Sequence, residues 1–260
     1  MNFRIKTRYE ELSLAVTIET KNPIRIQLKV YDEAKPKTLF TDRYKTISGR
    51  ETLYVRMPIT SDNIVVSVYN ADKGNRPAKD ETDLKVLQIE KLPLVKRMDA
   101  IDISNQTIAN FVDFAQRFSF NASYLKPETY QSKDQMFYIE YLPQIIGSRG
   151  QVLTTPARIS KSTGKIQVSK KLFDNYTLPM RMAILLHEFS HFYLNENIND
   201  EVEADLNGLL IYLGLGYPRI EGYQAFLEVF KDSPSMQNKN RYDIINNFIR
   251  DFEKQKMVMY

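Results

Sequence analysis

Residues 184–191 have the sequence Ile184-Leu185-Leu186-His187-Glu188-Phe189-Ser190-His191, in which two histidines stand four residues apart and a glutamate follows the first. The apolar residues before the motif, together with Pro179 upstream, predict a helix that begins near residue 179. Residues four apart lie on one helical face, so both imidazoles can reach one metal ion from successive turns. These are the chain's two histidines, and the motif therefore predicts a metal site. The alternative is a buried helix whose two histidines form hydrogen bonds and bind no metal.

The glutamate inside the motif has a different predicted role. Glu188 lies about 100° around the helix from His187, close enough to contact a water bound to the metal. Zinc lowers the pKa of such a water, and a neighbouring carboxylate can then take its proton. We therefore predict that Glu188 is the catalytic base and not a metal ligand.

A third metal ligand has to come from outside the motif, because a catalytic zinc takes three protein ligands and keeps a fourth position for water. The chain has no cysteine and no further histidine, so this ligand must be a carboxylate. In the helix predicted at about 200–214, Glu201 shares its face with Ala204 and Gly208, small residues that allow a neighbouring helix to approach closely. Glu203 lies on another side, which we predict to face solvent. We therefore favour Glu201 as the ligand, and predict that Asp205, one turn on, accepts the free N–H of a ligating histidine. The helix dipole alone would also favour a carboxylate in this first turn.

These residues resemble the gluzincin group of zinc metallopeptidases. The similarity lies in residues 184–191 and in the segment Glu201-Val202-Glu203-Ala204-Asp205, and it extends more weakly over roughly residues 95–215. Gluzincins carry HExxH on one helix and a glutamate ligand on a later one, after a helix and a small sheet with an edge strand. The resemblance implies a zincin-like domain over residues 93–260 and a bound Zn²⁺. Its implied site consists of the ligands His187, His191 and Glu201, the general base Glu188, and the histidine partner Asp205.

One residue of the family pattern is missing. Many of these enzymes use a further His, Tyr or Arg to stabilise the oxyanion of the tetrahedral intermediate. Because no histidine is left, that role would fall to one of four other side chains: Tyr193, Tyr212, Tyr217 or Arg219.

Residues 1–92 have a different pattern. Apolar and polar residues alternate along several short segments, as in half-buried strands. Lys21-Asn22-Pro23 and Ser48-Gly49 predict turns between these strands. We predict an antiparallel β-sandwich that serves as a binding or assembly module, and hence an α+β protein with two domains.

Charge and composition exclude several classes of function. The net charge of +4 is small, its basic excess lies in residues 1–100, and no basic block is interleaved with aromatic residues, so a nucleic-acid partner is not expected. No stretch of about 18 apolar residues predicts a membrane span, and no apolar signal segment follows Met1. We therefore predict a cytoplasmic or virion-associated protein.

No Lys or Arg occurs between Arg181 and Arg219, although this interval is rich in Asp and Glu, which need solvent or a cation.

Two functional hypotheses follow. The first is a zinc-dependent endopeptidase that acts on a protein or peptide substrate, with an edge strand near Ala157–Ile159 pairing with the substrate backbone. The second is a structural or assembly protein, for example a component of a phage particle, that retains the zincin-like fold. In that case residues 1–92 would mediate homo- or hetero-oligomeric contacts.

Overall fold

The computed structural model describes residues 1–73, 83–97, 105–231 and 234–257, and the chain divides into two compact units. The first unit comprises Met1–Lys96 and Gly216–Pro218, and the second comprises Arg97–Leu215 and Arg219–Tyr260. The roles that the sequence assigns to residues 1–92 and 93–260 stay predictions. In the described ranges, no helix combines the length and the apolar character that a bilayer crossing requires.

The first unit is an antiparallel sheet of five strands: β1 (Asn2–Lys6), β2 (Leu12–Asp32), β3 (Leu39–Met57), β4 (Asn63–Asn70) and β5 (Leu84–Pro93). The long strand β2 pairs with β3 along most of its length, with β5 through residues 12–20 and with β4 through residues 26–32. β1 pairs with the outer side of β4. The predicted antiparallel β structure is thus present as one continuous sheet.

The two predicted turns in this sheet are wrong. Lys21-Asn22-Pro23 lies inside β2 and Ser48-Gly49 inside β3, at a register shift between Thr20 and Ile24. A register shift of this kind accepts Pro, because residues 21–23 have no partner in the ladder between β2 and β3. Gly49 has φ +73°, a conformation that costs glycine little. The same residue types therefore mark a bulge here and not a reversal of the chain.

The second unit contains the helices and a small mixed sheet. Its strands are β6 (Thr129–Gln131), β7 (Tyr138–Leu142), β8 (Ala157–Ile159) and β9 (Ile166–Ser169), in the order β6-β7-β9-β8. β7 and β9 are parallel, and the other pairs are antiparallel. β8 stands at the end of the strand order and is therefore an edge strand. The helices are α1 (Gln106–Asn121), α2 (Lys170–Phe173), α3 (Leu178–Tyr193), α4 (Glu201–Gly214), α5 (Arg219–Lys231) and α6 (Met236–Met257). The α+β class is confirmed.

The central helix of this unit is α3, which carries the HExxH motif and packs against α1, α4, α5 and β8. It begins after Thr177, whose side chain accepts a hydrogen bond from the backbone N–H of Met180. Arg181 is fully buried and donates to the carbonyl oxygens of Phe173 and Ser119 and to the hydroxyl of Ser123. Burial lowers the pKa of this guanidinium to about 10. These hydrogen bonds tie α3 to α2, to α1 and to the turn that follows α1.

The neighbouring helix α4 comes close to α3 because it presents a glycine at the crossing. A Cβ added to Gly208 would lie 2.9 Å from the backbone nitrogen of His187. Asp200 caps α4 by accepting hydrogen bonds from the backbone N–H groups of Val202 and Glu203. The close crossing and the position of this cap bring the first turn of α4 to the histidines of α3.

Candidate metal centre

The two histidines of α3 point at a common position. Their Nε2 atoms are 3.2 Å apart, and the rings are nearly perpendicular. The Nδ1 atom of His191 lies 3.0 Å from the carbonyl oxygen of Ile198, which fixes the orientation of that ring. The spacing of four residues therefore produces the arrangement that the sequence predicts.

Glu201, in the first turn of α4, completes a cluster of three donors. Its Oε2 lies 3.6 Å from His187 Nε2, and its Oε1 lies 3.5 Å from His191 Nε2. The pKa of Glu201 is held below its usual range by hydrogen bonds from the two imidazoles. The group His187, His191 and Glu201 can therefore hold a metal ion.

Glu203 lies elsewhere. Its carboxylate accepts hydrogen bonds from the backbone N–H groups of Glu196, at 2.8 Å, and Asn197, at 3.3 Å. It thus holds the loop between α3 and α4 and is not part of the donor cluster, in keeping with the choice of Glu201. The sequence predicts that this side of α4 faces solvent. The Glu203 side chain is instead half-buried, because the loop covers it.

Asp205 lies one turn beyond Glu201 and contacts the other side of a histidine ring. Its Oδ1 is 2.9 Å from His187 Nδ1, although the two atoms are not aligned as a hydrogen bond, so their attraction is electrostatic. Burial opposes a charged imidazole, but the proximity of Asp205 and Glu201 outweighs it and raises the pKa of His187 to about 10. In the metal-free protein His187 is therefore a cation between two carboxylates.

Arg241, on α6, is a member of the site that the sequence analysis missed. Its guanidinium binds Asp205 through two hydrogen bonds, from Nε to Oδ2 at 2.7 Å and from Nη2 to Oδ1 at 2.9 Å. Its Nη1 lies 3.2 Å from Glu201 Oε2. The absence of Lys and Arg between Arg181 and Arg219 was the available signal, since solvent or a cation from outside that acidic interval had to balance its charge.

Glu188 is buried beside the cluster and outside it. Burial is the main cause that raises the pKa of its carboxyl, and the neighbouring charge of Glu201 acts in the same direction. The backbone amide of Ile159, on β8, opposes part of this rise in the pKa of the carboxyl. Glu188 therefore lies between the donor cluster and the edge of the small sheet, and its proton affinity is higher than that of a solvated glutamate.

A cavity of about 220 Å³ opens onto the cluster and is lined by His187, Glu188, His191, Glu201 and Arg241. Its other walls come from residues 155–159 and Lys161 near β8, from Ala183 and Ile184 of α3, and from Ala225, Phe226 and Val229 of α5. None of the predicted oxyanion partners (Tyr193, Tyr212, Tyr217 and Arg219) is among these lining residues. The nearest additional cation at the cluster is instead Arg241.

The edge strand β8 turns backbone groups toward this cavity. Ser160 N–H donates to Lys165 O, and Ser169 N–H donates to Pro156 O, so the even-numbered residues of β8 pair with β9. In an antiparallel ladder the residues between them, Ala157 and Ile159, direct their N–H and C=O groups to the open edge. The carbonyl oxygen of Ala157 already accepts a hydrogen bond from the Thr155 hydroxyl at 2.7 Å, so the strand offers to a further strand the N–H of Ala157 and the backbone groups of Ile159.

Comparisons of the chain with protein-family models, with curated proteins and with solved structures found no significant match. The functional assignment therefore depends on the chemistry of this site.

Proposed function

We propose that the second unit is a zinc-dependent endopeptidase of the gluzincin type. One observation carries the proposal: the three donors of His187, His191 and Glu201 converge in a cavity that also holds the buried carboxyl of Glu188. Three protein donors that leave one position for water are typical of catalytic zinc sites, and a separate glutamate is needed to move the proton of that water.

The donor set suits zinc in both chemistry and spacing. Imidazole nitrogen and carboxylate oxygen are common zinc ligands, with bonds of about 2.0–2.2 Å, so tetrahedral donors lie roughly 3.3–3.6 Å apart. In the cluster the two Nε2 atoms are 3.2 Å apart, and each of them lies 3.5 or 3.6 Å from a different oxygen of Glu201. A zinc ion at this site would supply Lewis acidity, polarising a carbonyl oxygen and lowering the pKa of water.

The protein side chains then have distinct roles. Glu188 takes a proton from the attacking water and passes it to the nitrogen of the leaving amine. Its raised pKa suits both steps, because a group that titrates nearer neutral pH can accept and then donate a proton. Asp205 and the carbonyl oxygen of Ile198 orient the two histidine rings. An extended peptide pairs with the open edge of β8, which presents its backbone to the site.

The test is a comparison of wild type with Glu188→Gln, which keeps the shape of the side chain and loses the proton acceptor. We expect both proteins to bind about one zinc per chain, measured by elemental analysis. The variant should lose about 10²–10⁴-fold of the wild-type rate in digestion of an unfolded protein. A metal chelator should abolish wild-type cleavage, and added zinc should restore it.

Glu203→Gln is the matched control, since it makes the same chemical change on α4 outside the cluster. It should retain both zinc and turnover. If wild type binds zinc but cleaves no faster than Glu188→Gln, the peptidase proposal is wrong. The assembly hypothesis would then lead, and deletion of residues 1–92 should abolish oligomer formation in size-exclusion chromatography.

A further inference from the structure

A row of polar side chains crosses the open face of the small sheet and ends at its edge. On β8, Arg158 Nε donates to Gln167 Oε1 at 2.7 Å, and Gln167 Nε2 donates to Glu140 Oε2 at 2.8 Å. Lys165 Nζ lies 3.3 Å from Glu140 Oε1 and neutralises that carboxylate. The charge of Glu140 is therefore balanced within the row, and a neutral amide stands between it and Arg158.

The charge of Arg158 has no such balance. Its second hydrogen bond, from Nη2, goes to the carbonyl oxygen of Ile146 at 3.1 Å, so its acceptors are neutral and use two of its five N–H donors. Across the described ranges of the chain, no carboxylate lies within ion-pair distance of this guanidinium. Lys161, the next cation along the same cavity wall, also contacts a neutral group, Asn199 Oδ1, at 2.8 Å. Arg158 and Lys161, which both line the cavity, therefore carry positive charges whose hydrogen-bond partners are neutral.

The position of Arg158 on the edge strand determines which side chain of a bound peptide it meets. Ala157 and Ile159 direct their backbone groups to the open edge. The side chain of Arg158, which lies between them in the strand, is on the opposite face of the sheet from their side chains. In an antiparallel pair, the residue opposite Arg158 places its side chain on the same face, with the two Cβ atoms about 4.5–5.5 Å apart. That is within reach of a guanidinium that has three free N–H donors. The next peptide residue lies opposite Ile159, which lines the same cavity as the base Glu188.

We propose that Arg158 is a specificity-determining residue that selects an Asp or Glu side chain within about one residue of the scissile bond, so that the substrates are acidic peptide segments. This inference rests on the proposed peptidase function and on substrate pairing with β8. A guanidinium that is already oriented by Gln167 and Ile146 loses little conformational freedom when it binds a carboxylate, and can bind it through two parallel hydrogen bonds.

The test begins with cleavage-site mapping by mass spectrometry of a mixed peptide library digested by the zinc-loaded protein. We expect enrichment of Asp and Glu at one position beside the cleaved bond. We then measure kcat/KM of wild type and variants on three synthetic peptides that carry Glu, Gln or Lys at this position and are otherwise identical. Wild type should prefer Glu to Gln by about fivefold, as for a partly exposed ion pair worth about 1 kcal/mol. The difference should lie mainly in KM, because the contact exists before and during the reaction.

Arg158→Gln should bring the Glu-to-Gln ratio close to one, and Arg158→Glu should favour the Lys peptide. Arg158→Lys keeps the charge and should retain part of the Glu preference, which a purely structural role in the polar row would not predict. Arg149→Gln, at an exposed arginine outside the cavity lining, is the matched control and should leave the ratio unchanged. Circular dichroism and zinc content verify that each variant is folded and loaded.

Binding provides a readout that does not depend on turnover. Glu188→Gln protein should bind the fluorescently labelled Glu peptide about fivefold more tightly than the Gln peptide. If wild type cleaves but Arg158→Gln keeps the same Glu-to-Gln ratio, the specificity proposal is wrong and the peptidase proposal stands. If wild type neither cleaves nor binds any peptide, the peptidase proposal is wrong and the specificity proposal falls with it.

Discussion

The ion pair between Asp205 and Arg241 should contribute strongly to the stability of the metal-free second unit. Two hydrogen bonds of 2.7 and 2.9 Å join the side chains across 36 residues of sequence. Asp205 is 1% exposed and Arg241 9% exposed, so each charge has little access to water as an alternative partner. Arg241→Met and Asp205→Asn each remove this pair while keeping the approximate size of the side chain.

The expected loss in free energy of unfolding follows from the burial of the pair and from the charged partners that remain in each variant. Removing one member of a buried pair costs about 3–5 kcal/mol, because the other charge is left uncompensated. After Arg241→Met, Asp205 still has the protonated ring of His187 beside it, and after Asp205→Asn, Arg241 still has Glu201. We therefore expect each single variant to lose about 3 kcal/mol in free energy of unfolding. The double variant should lose at least about 1.5 kcal/mol less than the sum of the two, because the pair is then absent as a whole.

Urea unfolding in excess chelator measures these free energies without a contribution from bound metal. Circular dichroism at 222 nm is a suitable probe, since the α-helices in the described part of the chain belong to the second unit. Arg250→Met, at an exposed arginine on the same helix, is the matched control and should change stability by less than about 0.5 kcal/mol. If the double variant loses the sum of the two single losses in free energy of unfolding, to within about 0.5 kcal/mol, the argument that the pair is a coupled, buried unit is refuted.

Two further predictions concern the metal site. His187 has a pKa raised to about 10 and must lose a proton to bind metal. The apparent zinc affinity should therefore rise about tenfold per pH unit between about pH 7 and 9. Competition with a chelator of known pH dependence measures this affinity, and a flat profile would contradict the prediction. Gly208→Ala would place a Cβ 2.9 Å from the backbone nitrogen of His187, so α3 and α4 must separate. It should cost about 1–3 kcal/mol in stability and weaken zinc binding at least tenfold, and unchanged zinc affinity would show that the helix spacing does not control the cluster.

The sequence alone determines the local parts of the site. Helix geometry fixes the relation between His187 and His191, because residues four apart always share a face. The phase of α4 separates Glu201 from Glu203 for the same reason, and Gly208 marks the close crossing of the two helices. Such inferences succeed because each depends on one helix of regular geometry, whose period the sequence displays.

Only the tertiary structure decides what comes from distant parts of the chain. Arg241 has no local pattern that connects it with Asp205, and the edge strand β8 reaches Glu188 only because the small sheet packs against α3. Lys21-Asn22-Pro23 and Ser48-Gly49 carry turn residues, yet they lie inside long strands because pairing on both sides of β2 outweighs the local preference. Contacts between elements depend on packing free energies summed over many residues, and no short stretch of sequence contains that sum.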